Sequence, residues 1–358
     1  LAIELERQVE AKRDFMANTG EVTVATMDRS DTSLALEIPT EEEVEHFPIR
    51  PVALRQIGSK LKIPAKFIDR CEKYPDLIAG NINYLFKREP EKRLVRTLDG
   101  NVRGFLSDSY RRMDNYDVAK AVLPVLAEYG AQVTSCEVTE RKLYIKAIRP
   151  DLVAEIPPPE GAVMGEGHTF FIDKVQAGLT INNSEIGFGR LSLQPSHFTK
   201  RCTNYASFTD YAFNKVHLGS KDDSSADIRE LMSDQTKKVD DAALWMKVRD
   251  LVIGAMDGTI FDKIVDDLKA SRGQQIEGNP VKCVELLSKR HGLTDDESGG
   301  VIEHLIKGGE LTQYGLSNAV TRLSQDIEKY DRATELEVLG GKIIELKPTE
   351  WQVLAKAA

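Results

Sequence analysis

Between Val175 and Ile181 apolar and polar residues alternate, with Val175, Ala177, Leu179 and Ile181 set against Gln176, Gly178 and Thr180. A period of two puts one set on each face of a sheet, so this run predicts a strand. Asn182-Asn183-Ser184 has turn chemistry, because asparagine tolerates a left-handed backbone and bonds the chain ahead of it. Phe188, Leu191 and Leu193 open a return strand, which Pro195 is expected to stop. The same alternation predicts a hairpin of Arg93–Leu98 and Val102–Leu106 around Asp99-Gly100-Asn101, and a second of Gln132–Glu140 and Lys142–Ile148.

Helical spacing governs other stretches. Pro51 suits a first helical position, and Val52, Leu54, Ile57 and Leu61 make one apolar face. Ala65–Cys71 and Pro75–Lys87 follow as helices, and the first two read as a helical hairpin rather than a DNA-reading helix-turn-helix. Tyr116–Tyr129 is a helix that carries Pro124 and ends at Gly130. Nearer the start, Leu1–Phe15 reads as a helix and Glu21–Ile38 as a hairpin, and Thr40 before Glu41-Glu42-Glu43 reads as the N-cap of a helix. Beyond the polar linker Lys221–Ser225 come Leu231–Met256, Phe261–Leu268, Val281–Arg290, Asp295–Lys307 and Leu316–Ile327, all at helical spacing. Thr294 and Glu297 spell a capping box. The expected fold is α+β, with central antiparallel β-hairpins and helices followed by an α-helical C-terminal domain. The expected boundaries are 1–86, 87–221 and 222–358.

Composition bounds this picture without changing it. The 358 residues are 41% hydrophobic and 29% charged, as in a folded globular protein. No apolar run approaches the about 20 residues that cross a bilayer. Four scattered cysteines without a CxxC pair point to reduced thiols in a cytoplasm. The net charge of −9 hides local basic excess. Residues 87–112 hold eight bases against four acids, and residues 190–221 hold five bases against Asp210 alone. A basic middle between acidic flanks suits a local polyanion site.

Enzyme chemistry finds no footing. The six histidines form no HxxxH or Cys-His cluster, and no P-loop or GxSxG elbow is present, so neither a metal, a cofactor nor catalysis is expected. Cys202, beside Arg201 and with His197 or His217 as base, reads more simply as a structural thiol. Glu185, in the turn NNSEIGFG, reads as a residue that bonds local N–H groups or pairs with Arg190 or Arg103. What remains is bases interleaved with rings, the pattern that holds unpaired nucleic-acid strands by phosphate contact and base stacking. The candidate nucleic-acid-binding residues are Arg103, Tyr110, Arg111, Arg112, Arg190, Lys200, Arg201 and Lys215, with Tyr110 as the stacking ring.

The segments GLTINNSEIGFGRLSLQP, RCTN and VHLG between 178 and 219, with VRGFLSDSYRRMDNYDV at 102–118 and YGLSNAVTRLSQD at 314–326, resemble a phage- and plasmid-encoded family known as domain of unknown function 932. The resemblance covers most of the chain from about Leu54 and implies a setting in DNA metabolism of mobile elements, with no settled chemistry. The hairpins followed by a helix are loosely similar to the β-β-β-α unit of phage single-strand annealing proteins. Together these imply a non-catalytic protein that binds and anneals single-stranded DNA as a homo-oligomeric ring or filament. The alternative is a regulatory or host-interaction protein of a mobile element.

Overall fold

Local propensity is realised where each segment has a partner to bury its apolar side against. The computed structural model describes residues 1–28, 31–159, 171–199, 204–215 and 233–357. The chain forms two compact units, one built chiefly from Leu1–Asp117 and Ser184–Arg190, the other chiefly from Val118–Asn183, Leu191–Lys215 and the chain after Lys238. The expected segments 1–86, 87–221 and 222–358 are contiguous in the chain, whereas these units are not. A turn only seven residues long, Ser184–Arg190, belongs to the first unit although both strands beside it belong to the second. Linear composition has no access to that grouping, because strand pairing and burial, not chain proximity, define a core.

The first unit begins with helix α1 (Ala2–Ala11) and strand β1 (Lys12–Asn18). The expected helix thus ends before Phe15, because Phe15 and Ala17 pair across a sheet with Val95 and Arg93. β2 (Thr23–Asp28), β3 (Asp31–Pro39) and β4 (Val44–Pro48) form one antiparallel sheet. The helix expected at Thr40 is instead the β3–β4 turn: the Thr40 N–H and hydroxyl both donate to the Glu43 carbonyl. No apolar helical face follows Thr40, whereas Phe47 in β4 is buried. Helices α2 (Pro51–Lys60), α3 (Ala65–Arg70) and α4 (Pro75–Arg88) come next, then β5 (Lys92–Leu98) and β6 (Asn101–Ser107), which complete a second sheet in the order β1-β5-β6. Asp99 and Gly100 have φ of 52° and 72° and close the β5–β6 hairpin. Ile57, Ile82, Phe86, Val95, Val102 and Phe105 meet in the core, with the Phe86 and Phe105 rings stacked 5.8 Å apart.

α5 (Asn115–Glu128), with Pro124 inside it, leads into the second unit. There β7 (Gln132–Val138), β8 (Leu143–Ile156), β9 (Asp173–Asn183), β10 (Leu191–Thr199), β11 (Asn204–Ser207) and β12 (Phe213–Lys215) make one antiparallel sheet. Its order is β11-β10-β9-β8-β7, with β12 also on β10. The Val175–Ile181 run is an interior strand, and Leu193 pairs with Ile181 as the alternation predicts. Pro195 does not stop β10. The outer neighbour of β10 changes at this point from β12, paired at 191–193, to β11, paired at 196–199, and the Pro195 carbonyl accepts from Phe208 N–H. A proline is tolerated because the N–H it lacks faces that break in the partner strand.

Among the described residues the remaining helices are α6 (Asp234–Met256), α7 (Thr259–Arg272), α8 (Pro280–His291), α9 (Asp295–Gly308), α10 (Gln313–Leu323), α11 (Tyr330–Ile344) and α12 (Pro348–Ala355). The Thr294–Glu297 capping box forms at α9, and Gly309 at φ 70° ends that helix. These helices make the C-terminal region helical as expected, and from Lys238 on they belong to the second unit. Phe261, Ile264, Leu268, Tyr314 and Ile344 pack on Val175, Ala177 and Phe208 of the sheet and its edge. A buried ion pair also ties α11 to β8: Lys146 Nζ lies 2.6 and 2.8 Å from the Glu337 carboxylate oxygens and 4.7 Å from the Tyr330 ring centre. Burial outweighs the pull of Lys146 and holds the Glu337 carboxyl above its ordinary value. The proposed linker at Lys221–Ser225 lies outside the described residues.

Candidate nucleic-acid interface

The first basic segment meets the 184–190 turn within the first unit through one carboxylate, Glu185. Arg103, on β6, is 7% exposed and pairs with Glu185. The second Glu185 oxygen accepts the Asn115 backbone N–H at 2.6 Å. Glu185 therefore pairs with a base as expected, with Arg103 and not Arg190 as its cation, while the N–H it accepts comes from a distant segment and not from its own turn. Gln56 on α2 fastens the same turn, donating to the Ile186 carbonyl at 2.6 Å while accepting from Phe105 N–H at 2.8 Å. Gly104 allows this approach, since a Cβ there would stand 2.9 Å from the Ile186 side chain.

Behind this contact lies a denser network that centres on Arg96, which is completely buried. Its Nε reaches Asp14 at 3.0 Å, one Nη reaches Asp114 at 2.6 Å, and the other donates to the Glu185 carbonyl at 3.0 Å. Lys12 also pairs with Asp114, and Arg112 reaches Asp14 at 3.5 Å. Burial disfavours the Arg96 charge, but Asp114, Asp14 and Glu185 overcome it and raise its pKa; partial burial would raise the half-buried Asp114, yet Arg96 and Lys12 hold it below its usual value. The sequence offered one trace of this centre, an arginine set between Val95 and Thr97 in the inner half of a strand. Nothing local announced Asp14, Lys12 or Asp114 as its partners.

The candidate residues therefore separate by environment. Arg103 is internal and holds the fold. Tyr110 is not a stacking ring: it is 9% exposed, packs with Leu94 and Leu106, and donates its hydroxyl to the Ser184 carbonyl at 3.0 Å. Its charged neighbours in sequence made it look solvated, yet burial lifts its phenol far above the ordinary value. Arg111 is half-buried, whereas Arg112 and Arg190 are exposed. Lys215 closes β12 by pairing with Leu191, while its side chain, like Lys200, Arg201 and Cys202, lies outside the described residues.

In the second unit His197, weighed above as a base, is 2% exposed with its ring 5.6 Å from Phe208. Its Nδ1 has no hydrogen-bond partner among the described residues, and burial pushes its pKa down to about 4. That makes His197 an acid-sensitive core residue. Its folded pKa lies below the unfolded value of about 6.5, so its contribution is complete above that pH and is lost as pH falls toward 4. Urea titrations should show about 3 kcal/mol more acid destabilisation between pH 7 and 4 in the parent than in His197→Leu. Equal pH profiles would remove His197 as the cause.

Among the described residues no group of three His, Cys, Asp or Glu is arranged to hold a metal ion, and no helix is long and apolar enough to cross a membrane. No family model, curated protein or solved structure matches this chain.

Proposed function

We propose that this chain binds single-stranded DNA without catalysis and promotes annealing in the replication or recombination of a phage or plasmid. One observation carries the reading: the 108–115 loop and the 184–190 turn, far apart in sequence, are pinned together by Tyr110, Glu185 and Asn115, with Arg112 and Arg190 left exposed on them. Buried ion pairs hold the two loops, so cations on them stand on a rigid base, which lowers the ordering cost of phosphate contact. The resemblance to a family of mobile elements agrees with this role. In this scheme Arg103 and Tyr110 position the surface and do not touch the strand.

Anisotropy of a labelled oligonucleotide across salt tests the proposal. Log affinity should fall linearly with log salt, by about 0.7 per phosphate neutralised. Arg112→Ala with Arg190→Ala should weaken binding to all sequences alike and flatten the slope by about 1 to 1.5 units. Both side chains are exposed and the Arg112–Asp14 contact is long at 3.5 Å, so the melting temperature should change little. No binding by the parent, or an unaltered slope in the double variant, would favour the regulatory reading.

A further inference from the structure

Helix α4 buries Ile78, Ala79, Ile82 and Phe86 and turns its other side to solvent. On that side Asp76, Gly80, Tyr84 and Arg88 follow one another at intervals of four, the spacing of a continuous ridge on a helix surface. Tyr74, Leu77 and Tyr84 are 61, 47 and 62% exposed. A Cβ added at Gly80 would meet nothing within 4 Å. The Arg88 Nη1 donates to the Tyr84 hydroxyl at 3.4 Å. Among the described residues neither Asp76 nor Arg88 has an ion-pair partner.

The order of these residues is self-complementary. When two copies of a helix pack antiparallel about a two-fold axis, residue i of one meets j of the other and j meets i. An axis at the height of position 82 sets Asp76 against Arg88 of the second copy and Gly80 against Tyr84. One axis satisfies both pairs, because 76 with 88 and 80 with 84 share that midpoint. Acid then faces base twice, and each tyrosine enters the gap that a glycine leaves. Glycine there permits the closest interaxial separations, near 8 Å, as ridges of this spacing interdigitate. Tyrosine and arginine are also among the side chains that dominate interface energies.

We infer that the outer face of α4 is a dimerisation surface whose partner is α4 of a second copy of this chain. A nucleic-acid strand fits it less well, because Asp76 stands in the ridge and Glu72 and Glu89 are exposed at its ends. The helix is about 21 Å long, so this contact by itself is at the small end of specific interfaces and gives a concentration-dependent dimer. An isologous contact closes at two, so it supplies the first step of self-association and not a ring by itself.

Sedimentation equilibrium of the full chain from about 1 to 200 µM should show the mass rising toward twice that of one chain. Gly80→Gln should weaken the dimer at least about tenfold without lowering the melting temperature of dilute protein, because glutamine favours helix over glycine and the site is open. Asp76→Arg and Arg88→Asp should each weaken the dimer by about tenfold, and the two together should restore it to within about threefold, because the swap recreates both ion pairs. A parent that stays monomeric throughout overturns the inference. So does a dimer indifferent to Gly80→Gln, or a double swap no better than its singles. If the parent is monomeric and Gly80→Gln lowers oligonucleotide affinity, the face belongs to the nucleic acid.

Discussion

Replacing Glu185 by alanine should destabilise the first unit by about 3 to 5 kcal/mol, the cost of leaving one member of a buried ion pair without its partner. Two groups lose their acceptor at once. Arg103 keeps a charge at 7% exposure, and the Asn115 N–H, at the start of α5, loses its 2.6 Å bond. Glu185→Gln separates the contributions, because the amide oxygen still accepts from Asn115 but no longer neutralises Arg103; its loss should be smaller. Both tryptophans, Trp245 and Trp351, lie in the second unit, so their fluorescence is the wrong reporter. Amide hydrogen exchange in β5 and β6 is the right one. If exchange there is unchanged in Glu185→Ala, the carboxylate does not hold the turn, and the rigid presentation of Arg190 fails with it.

The same logic predicts an opposite pair of results in the second unit, where tryptophan fluorescence does report. Glu337→Ala strands Lys146 at 4% exposure and should cost about 3 to 5 kcal/mol, seen as a lower urea midpoint. Lys146→Met combined with Glu337→Leu should recover most of that loss or exceed it, because a buried pair sacrifices more hydration than its attraction returns. Tyr330 and Tyr205, with rings 4.7 and 5.6 Å from the Lys146 nitrogen, would pack on methionine as readily. A double variant as unstable as Glu337→Ala would show that the pair contributes net stability and that its hydrogen-bonded setting compensates its burial.

Local pattern carried the sequence a long way. The period of two at Val175–Ile181 located an interior strand of the larger sheet, and Asp99-Gly100 located a hairpin, because backbone freedom and side-chain alternation are properties of neighbours in the chain. Pro51 at a first helical position and the box at Thr294 and Glu297 are likewise local and formed as expected. Local chemistry also named Glu185 as a pairing residue, without choosing its partner. The tertiary structure chose Arg103, which β6 brings to the 184–190 turn. It also decided that Tyr110, polar by its neighbours, is a core residue, because exposure belongs to the packed unit and not to the adjoining side chains. Pro195 inside β10 shows the same limit from the backbone side: a proline breaks a strand only where a neighbour needs its N–H, and which neighbour lies opposite is settled by sheet topology. Arg96 with Asp14 and Asp114 was beyond reach for the same reason. Its charge is tolerated only because three distant segments deliver their carboxylates and a carbonyl to one buried point, and no spacing along the chain encodes that meeting.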